Sequence, residues 1–420
     1  MAVRVLRTCR ELGLETAAVF SEADREAPHV LYADEAYCIG APLVEESYLR
    51  VERIVEAARA SNAQVVHPGC GRLAASPALA RACVEAGLAW VGPRPETLEL
   101  LADEAAVRRL AGELGLVFLP DQGSIDNARH IEVQVLADSH GHLVHLGERE
   151  GSIQWRGRKM VEEAPSRALD DALRERICAA ALRLTTALGY VGAGAVEFLL
   201  APDGQFYFVA IDPCLSAGHA VSEAVTGIDI VQAQLRVAAG RELPVTQDEV
   251  QPRGWALSCR IVAEDPLRGF APCAGRISRL REPGGPGIRI DSGIYEGMTI
   301  TPLYDTLLAQ VVAWGETRGV AIVRMRRALE EYQIAGITTN LELLRALLDS
   351  HRFFGGQFHT RFLEEQFSLA QTASADHLTA AALAAALLDW RRHARPRGEG
   401  EASSRWKTLG RWEQVGGGRW

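Results

Sequence analysis

The sequence predicts an α/β fold that passes into an α+β one, and three observations predict it. Short β-branched runs alternate with amphipathic helical stretches up to residue 95. A run that alternates apolar and polar (130–138) follows, with further strand-like runs up to residue 212. From 253 to 315 the chain is cut by glycine and proline into short segments that read as antiparallel strands.

Each element follows from its own pattern. Residues 16–20, 64–67 and 88–91 read as strands, with helices over 52–61 and 76–86 between them. Strands and helices alternating over short links imply a parallel sheet covered by helices. A long helix is expected over 96–114, where leucines recur at helical spacing. HIEVQVLAD (130–138) alternates as a half-buried strand, and 142–146, 194–200 and 205–212 read as further strands. The last two are joined by Ala201-Pro202-Asp203-Gly204 into a hairpin, just after a helix over 168–188. Turns such as Glu282-Pro283-Gly284-Gly285 punctuate the antiparallel region, and helices over 318–331 and 340–350 close it. Beyond His359 strand signals cease. An alanine-rich helix (377–391) leads into a polar linker (392–400). The expected division is 1–95, 96–252, 253–368 and a partly disordered helix-and-linker tail, 369–420.

Bulk properties narrow the class. A chain of 420 residues has room for two or three cores. It is 48% apolar and 24% charged, as ordinary globular proteins are. A net charge of -9 argues against nucleic-acid partners and anionic membrane surfaces. No apolar run has the length of a membrane span, and the opening MAVRVLRTCRELGLETAAVF lacks the features of a signal peptide. The eight cysteines (Cys9, Cys38, Cys70, Cys83, Cys178, Cys214, Cys259, Cys273) include no CxxC pair, so metal-site spacing is absent. Reduced, buried thiols in a cytoplasmic protein are the expectation.

Ordered segments then point further. They include LRTCRELGLETAAVFSEADREAPHVLYADEAYCIG (6–40), VVHPGCGRL (65–73), RHIEVQVLAD (129–138), VEEAPS (161–166) and GYVGAGAVEFLL (189–200). FYFVAID (206–212), VTGIDIVQAQLRVAAGREL (225–243), CRIVAEDP (259–266) and DSGIYEGMTITPLYDTLLAQ (291–310) continue the series. Together they resemble the biotin carboxylase component of acyl-CoA and pyruvate carboxylases, a branch of the ATP-grasp ligases, from Ala2 to about Phe367. SSRWKTLGRW (403–412) also resembles the start of the region that follows this component in acyl-CoA carboxylase α subunits.

The resemblance implies a Rossmann-like N-terminal domain, an ATP-grasp core and a C-terminal antiparallel domain. It implies Mg2+ and ATP as cofactors, biotin as substrate, and a homodimer or a heteromer with carboxylase subunits. Carried onto this chain, Lys159 and Arg289 stand at catalytic positions. His130, Gln154 and Leu199 stand at cofactor-binding ones. Glu197 matches the first magnesium carboxylate, and Asp212 is the nearest candidate for the second.

The departures are as specific as the matches. Only Val117 to Asn127 separates the long helix from the strand at His130, so the glycine-rich lid has no room and the N-terminal and core domains are both truncated forms. The family's first strand, central in the N-terminal sheet, has no counterpart before Ala2: either the start lies upstream, or another chain supplies the strand, or flanking strands expose unpaired edges and the domain is poorly stable. Glu104 replaces a phosphate-binding lysine, and Gln122 and Gly123 replace the adenine-hinge pair. The pattern F-I-E-M-N-T-R-I-Q-V-E-H-P has become Phe208-Val209-Ala210-Ile211-Asp212-Pro213-Cys214-Leu215-Ser216-Ala217-Gly218-His219-Ala220. The second magnesium carboxylate is thus Ala210, and Cys214, Ser216 and Gly218 replace the arginine, glutamine and glutamate around bicarbonate. Loss of a general base alone costs about two to four orders of magnitude.

Simpler readings stand beside these. Glu197 alone on a strand reads as a hydrogen-bonded carboxylate, Arg156, Arg158 and Lys159 as a solvated basic loop, and Arg289 as one half of an ion pair. Cys214 has no evident histidine-and-acid arrangement, with His219 expected on a loop. Three functions remain open: a catalytically degenerate homologue kept as scaffold or regulator, an active ligase in which Asp212 and Glu197 hold magnesium, and a decayed reading frame.

Overall fold

The computed structural model describes residues 1–118, 125–367 and Ala386. Residues 1–369 form one unit and 370–420 a second. The expected helix over 377–391, apart from the helical Ala386, and the linker over 392–400 lie outside the described residues.

Helix α1 (Ala2–Glu11) opens the chain and buries Val5, Leu6, Thr8 and Cys9. β1 (Ala17–Ser21), α2 (Pro28–Tyr32), β2 (Glu35–Gly40), α3 (Val51–Ala60), β3 (Val65–Val66), α4 (Pro77–Glu85) and β4 (Ala89–Trp90) follow. The strands pair in parallel as β1–β2 and β3–β4, two separate two-stranded sheets. Ile39, Ile54, Leu79, Cys83, Trp90 and Leu98 form their shared core. The single helix expected over 96–114 is two, α5 (Pro95–Ala102) and α6 (Glu104–Glu113). Asp103 between them takes an extended conformation, and its carboxylate accepts the Ala106 N–H at 3.0 Å, a cap that starts a new helix.

An eight-stranded sheet carries the rest. β5 (Arg129–Ala137), β6 (Leu143–Trp155), β7 (Arg158–Ala164), β8 (Gly192–Leu200), β9 (Phe206–Asp212) and β10 (Trp255–Val262) join strands Leu307–Gly315 and Ile288–Ser292. The order runs from Ile288–Ser292 through Leu307–Gly315, β10, β7, β6, β5 and β8 to β9, with every neighbouring pair antiparallel. The sheet therefore crosses residue 252 without interruption. On one face α7 (Asp171–Ala187) lays Ile177, Ala180, Ala181 and Leu184 against Ile131, Val133, Val135, Val196 and Phe198. Toward the other end the helix Arg318–Glu331 packs Ile322, Met325 and Leu329 with Leu257, Ile261 and Val311.

Three local expectations are corrected. Residues 154–159 are the tip of a hairpin between two long strands: Trp155 pairs with Arg158 across Arg156 (φ 47°) and Gly157 (φ 78°), both left-handed as a two-residue hairpin turn requires. His219 opens helix α8 (His219–Thr226) instead of lying in a loop. Cys38 and Cys70 are exposed, although Cys9, Cys83, Cys178, Cys214 and Cys259 are buried as expected. Among the described residues no helix is long and apolar enough to cross a membrane.

Candidate functional site

The pleat of β5 divides its side chains. Ile131, Val133 and Val135 face α7, so His130, Glu132 and Gln134 turn to the opposite face. The register there sets Arg149 of β6, Glu132 of β5, Glu197 of β8 and Ala210 of β9 in one row across four strands. Two carboxylates directly opposed on neighbouring strands repel each other. Lys159 answers that repulsion from β7: its ammonium ion-pairs with Glu132 and lies 3.3 Å from Glu197 Oε1. His130 Nε2 lies 3.1 Å from Glu197 Oε2. Burial pushes the Glu197 carboxyl up, but the His130 hydrogen bond and the Lys159 charge outweigh it and hold it at about 2.

Arg149 is wholly buried. Its guanidinium donates to Glu132 at 2.6 Å, Gln134 Oε1 at 2.7 Å and Ser216 Oγ at 2.9 Å, with Glu162 at 3.9 Å. Glu162 accepts from Arg260 at 2.7 and 3.1 Å. Burial raises the Glu162 carboxyl, and Arg260, Lys159 and Arg149 together bring it below the usual range. The carboxylates of Glu132, Glu162 and Glu197 are thus met by the cations of Arg149, Lys159 and Arg260.

The remaining expected residues are distributed around this cluster. Gln154 pairs with Lys159 at the hairpin, and Leu199 lies beside His130 in the β5–β8 register. Asp212 sits opposite Ala195, one cross-strand step beyond the Glu197–Ala210 pair. It accepts the Cys214 thiol at 2.9 Å. Burial raises both groups, and Asp212 raises Cys214 further, which keeps that sulfur protonated and unreactive. The group of potential ligand atoms within 4.8 Å of one another is His130, Glu132 and Glu197; Asp212 is not a member.

Arg289 belongs to a different network. It binds Asp291 at 2.7 and 3.0 Å and Glu223 at 2.6 Å. Glu223 also holds Arg4 of α1 at 3.0 Å and lies 3.7 Å from the buried His219. Glu104 is exposed on α6 and pairs with Arg108 at 2.9 Å.

Comparison with known proteins decides what this arrangement derives from. Residues 1–98 match the biotin carboxylase N-terminal domain, 102–246 the ATP-binding domain of the carbamoyl-phosphate synthase L chain, and 258–365 the biotin carboxylase C-terminal domain. A biotin carboxylase of Nostoc sp. is 39% identical over 431 aligned positions, covering 87% of this chain and 96% of its own. Biotin carboxylase 1 of Bacillus subtilis is 38% identical over 431 positions, again 87% of this chain and 96% of its own. The chain belongs to the biotin carboxylase family.

Its mixed α/β fold with a large antiparallel sheet matches solved structures of that family. One is the Hydrogenobacter thermophilus 2-oxoglutarate carboxylase biotin carboxylase domain dimer in complex with MgADP, ADP and bicarbonate. It superposes with a TM-score of 0.83 at 35% identity, over 87% of this chain and 95% of that one. Within this biotin carboxylase homologue, sequence reasoning missed Glu132, Arg149, Glu162 and Arg260. Glu132 carried a signal, since it shares the polar phase of HIEVQ with His130. Arg149, between Glu148 and Glu150, had none that distinguished it from a solvated charge.

Proposed function

We propose that this member of the biotin carboxylase family does not perform the ATP-dependent carboxylation of biotin and acts as a scaffold or regulatory partner of carboxylase subunits. The observation that carries this reading is the row across β8 and β9: the surviving magnesium carboxylate, Glu197, faces Ala210, and its negative charge is already met by Lys159 and His130. Mg-ATP and bicarbonate do not fit the residues present. Magnesium held between β8 and β9 has one carboxylate, Glu197 opposite Ala210, where the family uses two, and Glu104 stands where a lysine meets phosphate. Gly218, in the position of a glutamate of the family's bicarbonate site, has no space for a side chain: an added Cβ would run into Glu162 Oε1 and lie 2.5 Å from Arg149 Nε.

Two further observations support the reading. The relatives align over 431 positions while covering 87% of the 420 residues, about 365, so a substantial block of each relative has no counterpart here. Phe118 bridges to Phe208 and the described chain resumes at Ile125, leaving six residues where the family places its lid. In the N-terminal part (1–95) the pairs β1–β2 and β3–β4 stay unjoined. The core (96–252) lacks its lid, and the C-terminal part (253–368) extends the core's sheet.

The test is ADP release by the purified protein with Mg-ATP, bicarbonate and free biotin, against controls lacking each. The expected result is release no faster than the blank. Turnover that requires both bicarbonate and biotin overturns the reading in favour of an active ligase with a rebuilt site. The partner role predicts a stable heteromer when the chain is mixed with an active biotin carboxylase; light scattering that finds only the separate species refutes that part.

A further inference from the structure

His130 carries a feature that the ion pairs leave unexplained. The residue is 7% exposed. Its Nε2 lies against Glu197 Oε2, and an ionised carboxylate only accepts, so in the neutral ring the proton sits on Nε2. Nδ1 is then a bare lone pair. It is buried without a hydrogen-bond partner and faces Glu132 Oε1 at 3.7 Å. A lone pair directed at a carboxylate is repulsive until a second ring proton or a bound cation comes between them, and an unmet buried acceptor costs about 1–3 kcal/mol.

The surroundings have the form of a metal site. One donor atom from each of His130, Glu132 and Glu197 lies within 4.8 Å of the others, so side-chain shifts of about 1 Å would bring them to the spacing of ligands that share an ion about 2.0–2.2 Å away. The carboxylate on Nε2–H is the device that orients a metal-bound imidazole and fixes its tautomer. Glu197 Oε1 faces the Lys159 ammonium and not the ring, which leaves it available as a ligand. Lys159 itself reaches both carboxylates, so the position already accepts a positive charge.

We propose that His130 Nδ1, Glu132 and Glu197 bind a borderline divalent cation of the zinc class in the absence of nucleotide, displacing the Lys159 ammonium. One imidazole with two carboxylates suits Zn2+, whereas Mg2+ favours an all-oxygen shell and keeps its waters. This is distinct from a magnesium site that depends on bound ATP.

The test titrates Zn2+ into the full-length, nucleotide-free protein against a chromophoric chelator, with excess Mg2+ present throughout. The expected result is one equivalent bound, weakened about tenfold or more in Glu197→Gln and tightened about tenfold in Lys159→Met, where the competing cation is gone. A gain in affinity cannot come from misfolding. Binding of equal strength in the wild type and both variants places the zinc elsewhere, for instance on the exposed thiols of Cys38 and Cys70, and overturns the proposal, as does no binding at all. Because nucleotide is absent, neither result depends on whether the protein turns over ATP.

Discussion

Glu197 shows how a single residue's identity and its circumstances part company. Its type and its place on a strand were legible in the sequence, because the GYVGAGAVEF run carries them. That it faces Ala210 and is gripped by Lys159 and His130 depends on cross-strand register, which the sequence does not state. Its carboxyl is held at about 2, below the ordinary glutamate value, so the charged form favours the folded state. The sign follows: this stability is present above the unfolded glutamate pKa, about 4.3, and is lost as pH falls toward 2. Glu197→Gln is therefore expected to lower stability by about 2 kcal/mol at neutral pH. Denaturant melts should show the gap between wild type and variant closing between about pH 5 and pH 2; a gap that does not change with pH would mean the ion pairs add nothing. Gly218→Glu tests the same face from the opposite side. Placing the family's residue there drives a side chain into Glu162 and Arg149, so the expected outcome is a loss of about 2–4 kcal/mol with no gain in ADP release. A folded, active variant would show that the row can reopen.

Among the elements, those with clean periodicity were legible, and those set by a capping or turn residue were not. The alternation of HIEVQVLAD marks β5, and the helix over 318–331 is legible to both its ends. β6 and β7 were obscured because their site-facing positions are charged, Arg149 and Glu162 among them, and a buried charge pattern looks like a solvated one until its partners are known. The split between α5 and α6 rests on Asp103, whose helical neighbours hide it. Asp103→Ala removes the acceptor of the Ala106 N–H, with an expected cost of about 1 kcal/mol. A denaturation midpoint unchanged by that substitution, while Asp103→Asn is also neutral, would show that the break is maintained by packing alone.

At the scale of the molecule, the order of the parts was legible and their joining was not. The eight-stranded sheet is completed by strands from beyond residue 252, through the β7–β10 pairing, and no local pattern announces such a long-range contact. The contacts that tie the N-terminal strand pairs to the rest include those of Tyr304. Tyr304 donates to the Pro42 carbonyl at 2.6 Å, meets the Ser21 hydroxyl, and sets its ring edge-to-face on Tyr48 at 5.6 Å. Arg4 reaches Glu223, which Arg289 also holds. Two unjoined two-stranded sheets have little cooperative strength of their own, so these ties should govern how readily that part opens. Tyr304→Phe keeps the ring and removes the hydroxyl, leaving the Pro42 carbonyl without its donor at a cost of about 1 kcal/mol. The expected result in hydrogen exchange is faster exchange across residues 17–60, with β5, β6 and β8 unchanged. Uniformly faster exchange through the eight-stranded sheet would mean instead that the N-terminal part and the sheet open as one cooperative unit.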